Sequence, residues 1–249
     1  MTARPPALVG ISHGTSSPEG RRAVRGLHDA VAAAVAKRHP DATPSLRLGH
    51  VDVEQPDVAA TLGSLGPDEP AVVVPLLLSA GYHVHVDLAE AVQAVEAASP
   101  RRVMLAGALG PDDRLVSVLL RRLAQAGLRD EDRVVLAVAG SSDDRAVADC
   151  RDMAERLAAA SDREVGLGFL SAAQPALPDA VEAARSGASG DARVVLANYL
   201  LAPGYFDDLA RRAGADIVAQ PLLVPDESAP GELVDIVLDR YAAASARLD

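Results

Sequence analysis

A single cysteine, Cys150, stands among 249 residues, which rules out an internal disulfide and any zinc cluster built on thiolates. Such usage fits a reducing compartment, and the plain reading of Cys150 is a small apolar residue packed in a helix. Tryptophan is missing and aromatic residues make up only 2% of the chain. The core must then come from Val, Leu, Ile and Ala, the mixture used by buried parallel strands and the helices over them. No apolar run approaches the ~20 residues of a membrane span, and Met1 to Ala7 hold no stretch of signal-peptide length, so a cytoplasmic protein is expected. Positive charge is short as well. The 24 Lys and Arg against 35 Asp and Glu leave a formal charge of −11, which repels nucleic acid and anionic membranes at long range. Any anionic ligand has to be held by local groups. Neither G-x-G-x-x-G after a strand nor G-x-x-x-x-G-K-[ST] occurs, which removes dinucleotide and phosphate-loop binding. Ser16 and Ser17, at a helix start, are ordinary capping chemistry rather than hydrolase nucleophiles. Histidine-based phosphoryl transfer commonly places Arg before the His, whereas Ser12 precedes His13 here.

What is present is an alternation of short apolar runs with helix-period stretches, the pattern of repeated βα units around a parallel sheet. Strands are predicted at Ala7–Ser12, Leu46–Val53, Ala71–Leu78 and Arg102–Ala106. Ser17 is placed to cap the first helix, with Pro18 at its first position and Glu19 complementing its dipole, and that helix is expected to run to about Arg38. A fourth helix is expected to begin near Pro111 and Asp112 and to stop at Gly127, a residue free to take positive φ. The same order returns beyond Leu128, with strands at Arg133–Ala139, Glu164–Leu170, Arg193–Leu200 and Ala215–Ala219 and a closing helix through Leu233–Leu248. The fold class is α/β, with two similar lobes, residues 1–128 and 129–249, each a parallel sheet with flanking helices.

The halves can be aligned by letters. Gly49, Gln55 and Pro56 match Gly168, Gln174 and Pro175 at identical spacing. Leu77, Leu78, Gly81 and Tyr82 are answered by Leu200, Leu201, Gly204 and Tyr205. Ser12-His13-Gly14-Thr15 lies against Val138-Ala139-Gly140-Ser141. Three matches in chain order point to internal duplication.

Where the copies differ, chemistry is to be sought. His13 pairs with Ala139, Asp52 with Ser171, and His83 with Phe206. The three polar residues follow the C-terminal ends of consecutive strands, where open α/β sheets place ligands. Two neutral imidazoles suit a labile site for divalent Fe, Co, Ni or Zn, because two protein ligands leave coordination positions open. Asp52 could orient an imidazole or take part in removing protons from a ligand. Gly14 and Gly81 allow close backbone approach beside the histidines. Asp87 reads as a helix cap or a partner of an imidazole, and His85 as an accessory group. His28 and His39 read as solvated, and His50, opposite Phe169, as packing. Arg21, Arg22 and Arg25 have the planar cation that suits carboxylates, although charges on a helix are usually a solvated face.

Taken together, Ser12-His13-Gly14-Thr15, Asp52 with Gln55-Pro56, and the run from Pro75 to Leu88 resemble the CbiX/SirB sirohydrochlorin chelatases in their long, two-domain bacterial form. The resemblance implies two related chelatase-like α/β lobes facing across a cleft that holds a tetrapyrrole. It implies His13 and His83 as metal ligands and bases, Asp52 as a further catalytic acid, and Gly14, Thr15, Ser79, Gly81 and Tyr82 around the substrate, with His85 and Asp87 accessory. Asp52 stands where many relatives have Glu, and Tyr82 where they often have a smaller residue. The reaction implied is insertion of ferrous iron to give sirohaem, or of cobalt at an early step of cobalamin assembly, with no ATP and no organic cofactor. A monomer or homodimer would act, with sirohydrochlorin as its small-molecule partner. The absence of a His-rich tract, carried by some cobalt-linked relatives, favours iron. A non-catalytic carrier of metal or tetrapyrrole is the alternative from another class.

Overall fold

A computed structural model of the chain describes residues 5–79, 82–187 and 191–248, and for residues 82–87 the backbone alone. The first half runs β1 (Ala7–Ser12), α1 (Pro18–Arg38), β2 (Leu46–His50), α2 (Val58–Gly63), β3 (Ala71–Pro75), α3 (Tyr82–Ala98), β4 (Val103–Leu105) and α4 (Asp113–Gln125). The second runs β5 (Arg133–Val138), α5 (Asp144–Ser161), β6 (Val165–Phe169), α6 (Leu177–Ser186), β7 (Val194–Tyr199), α7 (Tyr205–Arg211), β8 (Ile217–Val218) and α8 (Gly231–Ser245).

Two four-stranded parallel sheets result, ordered β2-β1-β3-β4 and β6-β5-β7-β8. The central strands β1, β3 and β7 are buried along their whole length, and β5 after its first residue. That is why they read as continuous Val/Leu/Ala runs rather than as alternating patterns. The predicted helix start holds: Ser17 Oγ accepts the Gly20 N–H at 3.2 Å with Pro18 at the first position. Asp112 caps α4 through the Arg114 N–H at 3.0 Å, and Gly127 follows that helix at φ 77°.

Several strands end sooner than expected. β2 stops at His50 rather than Val53, because the chain turns there and Val53 takes φ 65°. β3 stops at Pro75 rather than Leu78, since the ladder loses its partner where β1 turns away after Ser12. β8 keeps only Ile217–Val218, as an edge strand with one neighbour.

The helices do not stay with their own sheets. α8, from the end of the chain, packs on β3, β4 and α1, while α4, from the first half, packs on β7 and α5. The two also meet each other. One apolar core therefore runs through both lobes, joining Leu115, Leu119 and Leu123 to Leu233, Ile236 and Val237. Around it Arg121 grips Glu232 at 2.8 and 3.1 Å, and the Tyr241 hydroxyl donates to the Pro6 carbonyl at 2.6 Å. Exposed ion pairs of this kind contribute little, typically ~0–1 kcal/mol, so the shared core is what joins the lobes. Among the described residues no helix is long and apolar enough to cross a membrane.

Candidate active site

The C-terminal ends of β1 and β3 face those of β5 and β7 across a cleft of about 600 Å³, within the size range of small-molecule sites. Four strand-to-helix loops form its walls. The first lobe contributes Ser12 to Ser16 and Leu76 to Ser79, and the second Val138 to Ser141 and Leu200 to Asp207. Val53 reaches in from the β2–α2 loop, and Cys150 lies on the floor. Burial and the neighbouring Asp149 push the Cys150 thiol up to about 11, which keeps it protonated and a poor metal ligand.

Three backbone hydrogen bonds recur in the two halves. Val51 N donates to Ser12 O at 2.9 Å as Leu170 N does to Val138 O, and His50 N donates to Pro56 O at 3.0 Å as Phe169 N does to Pro175 O. Glu54 N to Asp52 O repeats as Ala173 N to Ser171 O, both at 2.7 Å. Gly14 and Gly140 sit at φ 93° and 91°. A Cβ on either would overlap the carbonyl oxygen of Asp52 or of Ser171, respectively. The loop after β2 or β6 thus lies directly over a glycine, which holds the preceding residue at the cleft wall.

That preceding residue is His13 in one lobe and Ala139 in the other. His13 is exposed and lines the cleft, as do Gly14, Thr15 and Ser79. Asp52 is not among the lining residues. It is exposed, and its carboxylate accepts the Val53 N–H at 2.7 Å while its own N–H holds the His13 carbonyl at 3.0 Å. Gly81 lies outside the described residues. Tyr82, His83, His85 and Asp87 occupy the first turns of α3, which begins three residues on from the cleft-lining Ser79, and their side chains are outside the description. Among the described residues, no group of three or more His, Cys, Asp or Glu is placed to hold a metal.

Opposite the imidazole wall the second lobe presents aromatic surface. Tyr205 and Phe206 open α7 as Tyr82 and His83 open α3, and their rings meet edge to face at 5.6 Å. Both are exposed large apolar groups lining the cleft. Behind them the Tyr199 hydroxyl donates to Leu78 O at 3.4 Å, linking the lobes. Burial raises that phenol far above its ordinary range, so it stays neutral. Arg21 and Arg22 do not line the cleft: Arg21 Nε binds the Thr15 carbonyl at 2.9 Å and Glu54 at 3.2 Å, and Arg22 sits between Glu19 and Asp226 at 3.6 and 3.5 Å.

A group the sequence reading passed over lies beneath the His13 loop. Glu54 accepts the Thr15 N–H at 2.8 Å and stands 3.8 Å from His50 Nδ1, which in turn shares a 2.8 Å hydrogen bond with Ser12 Oγ. His50 is not mere packing. Burial lowers its pKa; Glu54 opposes that, while Arg21 and Arg25 add to it. The ring is accordingly neutral near pH 7. The same comparison of halves that singled out His13 would have found Glu54, which is opposite Ala173.

The CbiX family model matches residues 7–126 and 133–214. The chain belongs to the CbiX family. One relative is the sirohydrochlorin ferrochelatase of Priestia megaterium, 33% identical over 117 residues; the match spans 45% of this chain and 44% of that enzyme, so less than half of either is aligned. In fold, this CbiX-family chain is similar to SirB from Bacillus subtilis with Fe3+, with TM-score 0.77 and 20% identity over 98% of this chain and 97% of that one. It is also similar to SirB from Bacillus subtilis subspecies spizizenii in complex with cobalt, with TM-score 0.71 and 18% identity over 98% and 96%.

Proposed function

We propose that this chain is a sirohydrochlorin chelatase, inserting a divalent metal, ferrous iron foremost, into an anionic tetrapyrrole. The observation that carries the reading is the asymmetry of the cleft. One backbone frame occurs twice, with the His13 imidazole at its wall in the first lobe and Ala139 in the second. His13, with His83 from the start of α3, holds the ion as neutral imidazole and leaves positions open for pyrrole nitrogens. Gly14, Thr15, Ser79, Gly81 and Tyr82 seat the macrocycle on that side. Tyr205 and Phe206 offer its flat face an apolar surface, and Asp52 steadies the His13 loop. Residues 1–128 supply the metal chemistry and residues 129–249 the opposing wall. His85 and Asp87 are accessory to His83. The enzyme works in the cytoplasm as a monomer or homodimer, with no nucleic-acid or membrane partner, and needs no organic cofactor.

The test is anaerobic insertion into sirohydrochlorin with ferrous, cobaltous and nickel ions in parallel. Ferrous ion should be inserted fastest, and a cobalt preference would instead support the cobalamin branch. His13→Ala and His83→Ala should each lower turnover by ~10²-fold or more, the scale of a lost acid–base or ligating group. Near-normal turnover in both variants refutes the site. Tight binding of metal or tetrapyrrole without faster insertion marks a carrier instead.

A further inference from the structure

Between the cleft and the outer surface of the first lobe runs a line of polar side chains that holding a metal does not require. Ser12 borders the cleft next to His13, with Oγ 2.8 Å from His50 Nδ1. The same nitrogen faces Glu54 Oε1 at 3.8 Å. The Glu54 side chain is 12% exposed and that of His50 8%, and the second Glu54 oxygen meets the solvent-exposed Arg21 guanidinium at 3.2 Å. A single imidazole nitrogen thus serves both neighbours, an arrangement unlike a Ser-His-acid nucleophile, in which the two partners use opposite ring nitrogens.

Burying an imidazole and a carboxylate opposes folding unless something is gained. The second lobe shows that the loop does not need them. Val138, Phe169 and Ala173 occupy the three positions there on a backbone that repeats three of the first lobe's hydrogen bonds and its left-handed glycine. The polar line is therefore dispensable to the fold, and it accompanies His13.

Metal insertion has a use for it. When a divalent ion enters the macrocycle, two N–H bonds break and two protons must leave a cleft lined mostly by apolar surface. We propose that Ser12, His50 and Glu54 are a proton wire that carries protons from the tetrapyrrole to solvent. The pyrrole proton passes to Ser12 Oγ as the Ser12 hydroxyl gives its own to His50 Nδ1. Rotation of the Glu54 carboxylate closes the 3.8 Å gap to the ring, the imidazolium yields that proton to Glu54, which releases it to water, and the wire is restored with no electron transferred. The charged groups around the ring are Glu54, Arg21 and Arg25; the two cations hurry the proton onward and the carboxylate receives it.

The proposal rests on the chelatase reading, and its test separates the two. His50→Phe copies the residue the second lobe carries, and Glu54→Gln keeps the bond from Thr15 N–H while removing the proton acceptor. Turnover is measured at saturating ferrous ion and sirohydrochlorin, in H2O and D2O, across a range of concentrations of a weakly coordinating buffer. Each variant should lose ~10- to 100-fold in kcat with KM for the metal unchanged. Each should also show a larger solvent isotope effect and recover as buffer concentration rises, because a diffusible base replaces the wire. If His50→Phe does not fold, Glu54→Gln decides alone. Wild-type kcat in the variants, or a loss confined to KM for the metal and indifferent to buffer, overturns the wire while leaving the chelatase standing. Failure of the unsubstituted chain to insert metal overturns both.

Discussion

The two left-handed glycines allow the role of the His13 loop to be separated from its stability. Gly14→Ala and Gly140→Ala make the same change in matching frames, at φ 93° and 91°, with the new Cβ driven into the carbonyl oxygen of Asp52 or Ser171. Holding a residue with a Cβ in the left-handed region costs ~1–2 kcal/mol. Relieving the overlap lifts the covering loop and weakens one or two hydrogen bonds, such as Asp52 N to His13 O at 3.0 Å in the first lobe or Ser171 Oγ to Ala139 O at 2.9 Å in the second, at about 1 kcal/mol each. Each variant should then lose about 2–4 kcal/mol. For a chain of this size that lowers Tm by roughly 5–15 °C, and the two losses should agree to within about 1 kcal/mol. Activity should not agree. Measured well below both transitions, Gly14→Ala should lose on the order of 100-fold in kcat, because shifting a reacting group by about an ångström has that effect. Gly140→Ala, which disturbs only the opposite wall, should chiefly raise KM for the tetrapyrrole. Equal losses of kcat in the two variants would refute the division of labour between lobes.

Replacing Tyr205 and Phe206 together with Ala should raise KM for the tetrapyrrole about tenfold, the effect of ~1.4 kcal/mol of lost apolar contact, with kcat nearly unchanged; an unaltered KM would remove the aromatic wall from the substrate site. Stability should fall in two stages on acidification. His50 binds its proton more weakly folded than unfolded, so the unfolded chain gains protons first as pH drops below ~6.5. Asp132, held by Arg193 at about 2, contributes stability that is complete above the unfolded carboxylate value of ~3.9 and lost as pH falls through 2. Urea midpoints measured from pH 8 to 2 check both stages. In His50→Phe the upper stage should vanish, and in Asp132→Asn the lower one should shrink.

The sheet strands and the first helix were legible because Val/Leu/Ala runs and the Ser17-Pro18-Glu19 start each have one local solution. The ends of β2 and β3 were not, since they depend on where β1 stops offering a partner and on the positive φ at Val53. The helix-period stretches marked α4 and α8 as helices but could not show which sheet each covers. Within the site, comparing the halves brought out His13 because Ala139 is so plainly unlike it. His50 was set aside because Phe169 suggested packing. Its role depends on Glu54 and Ser12, one close in sequence and the other 38 residues away, and only folding brings all three together.

The crossing of α4 and α8 has a consequence for how such a molecule can arise. A polypeptide of half this length, with the same habit, would leave part of its own sheet bare and carry a terminal helix with nothing at home to cover. Two copies would have to trade helices to become whole, and their shared groove would then bear identical groups on both banks. Joining the copies end to end lifts that symmetry. One bank can keep its imidazole while the other turns oily, and a flat guest then has only one way round to lie.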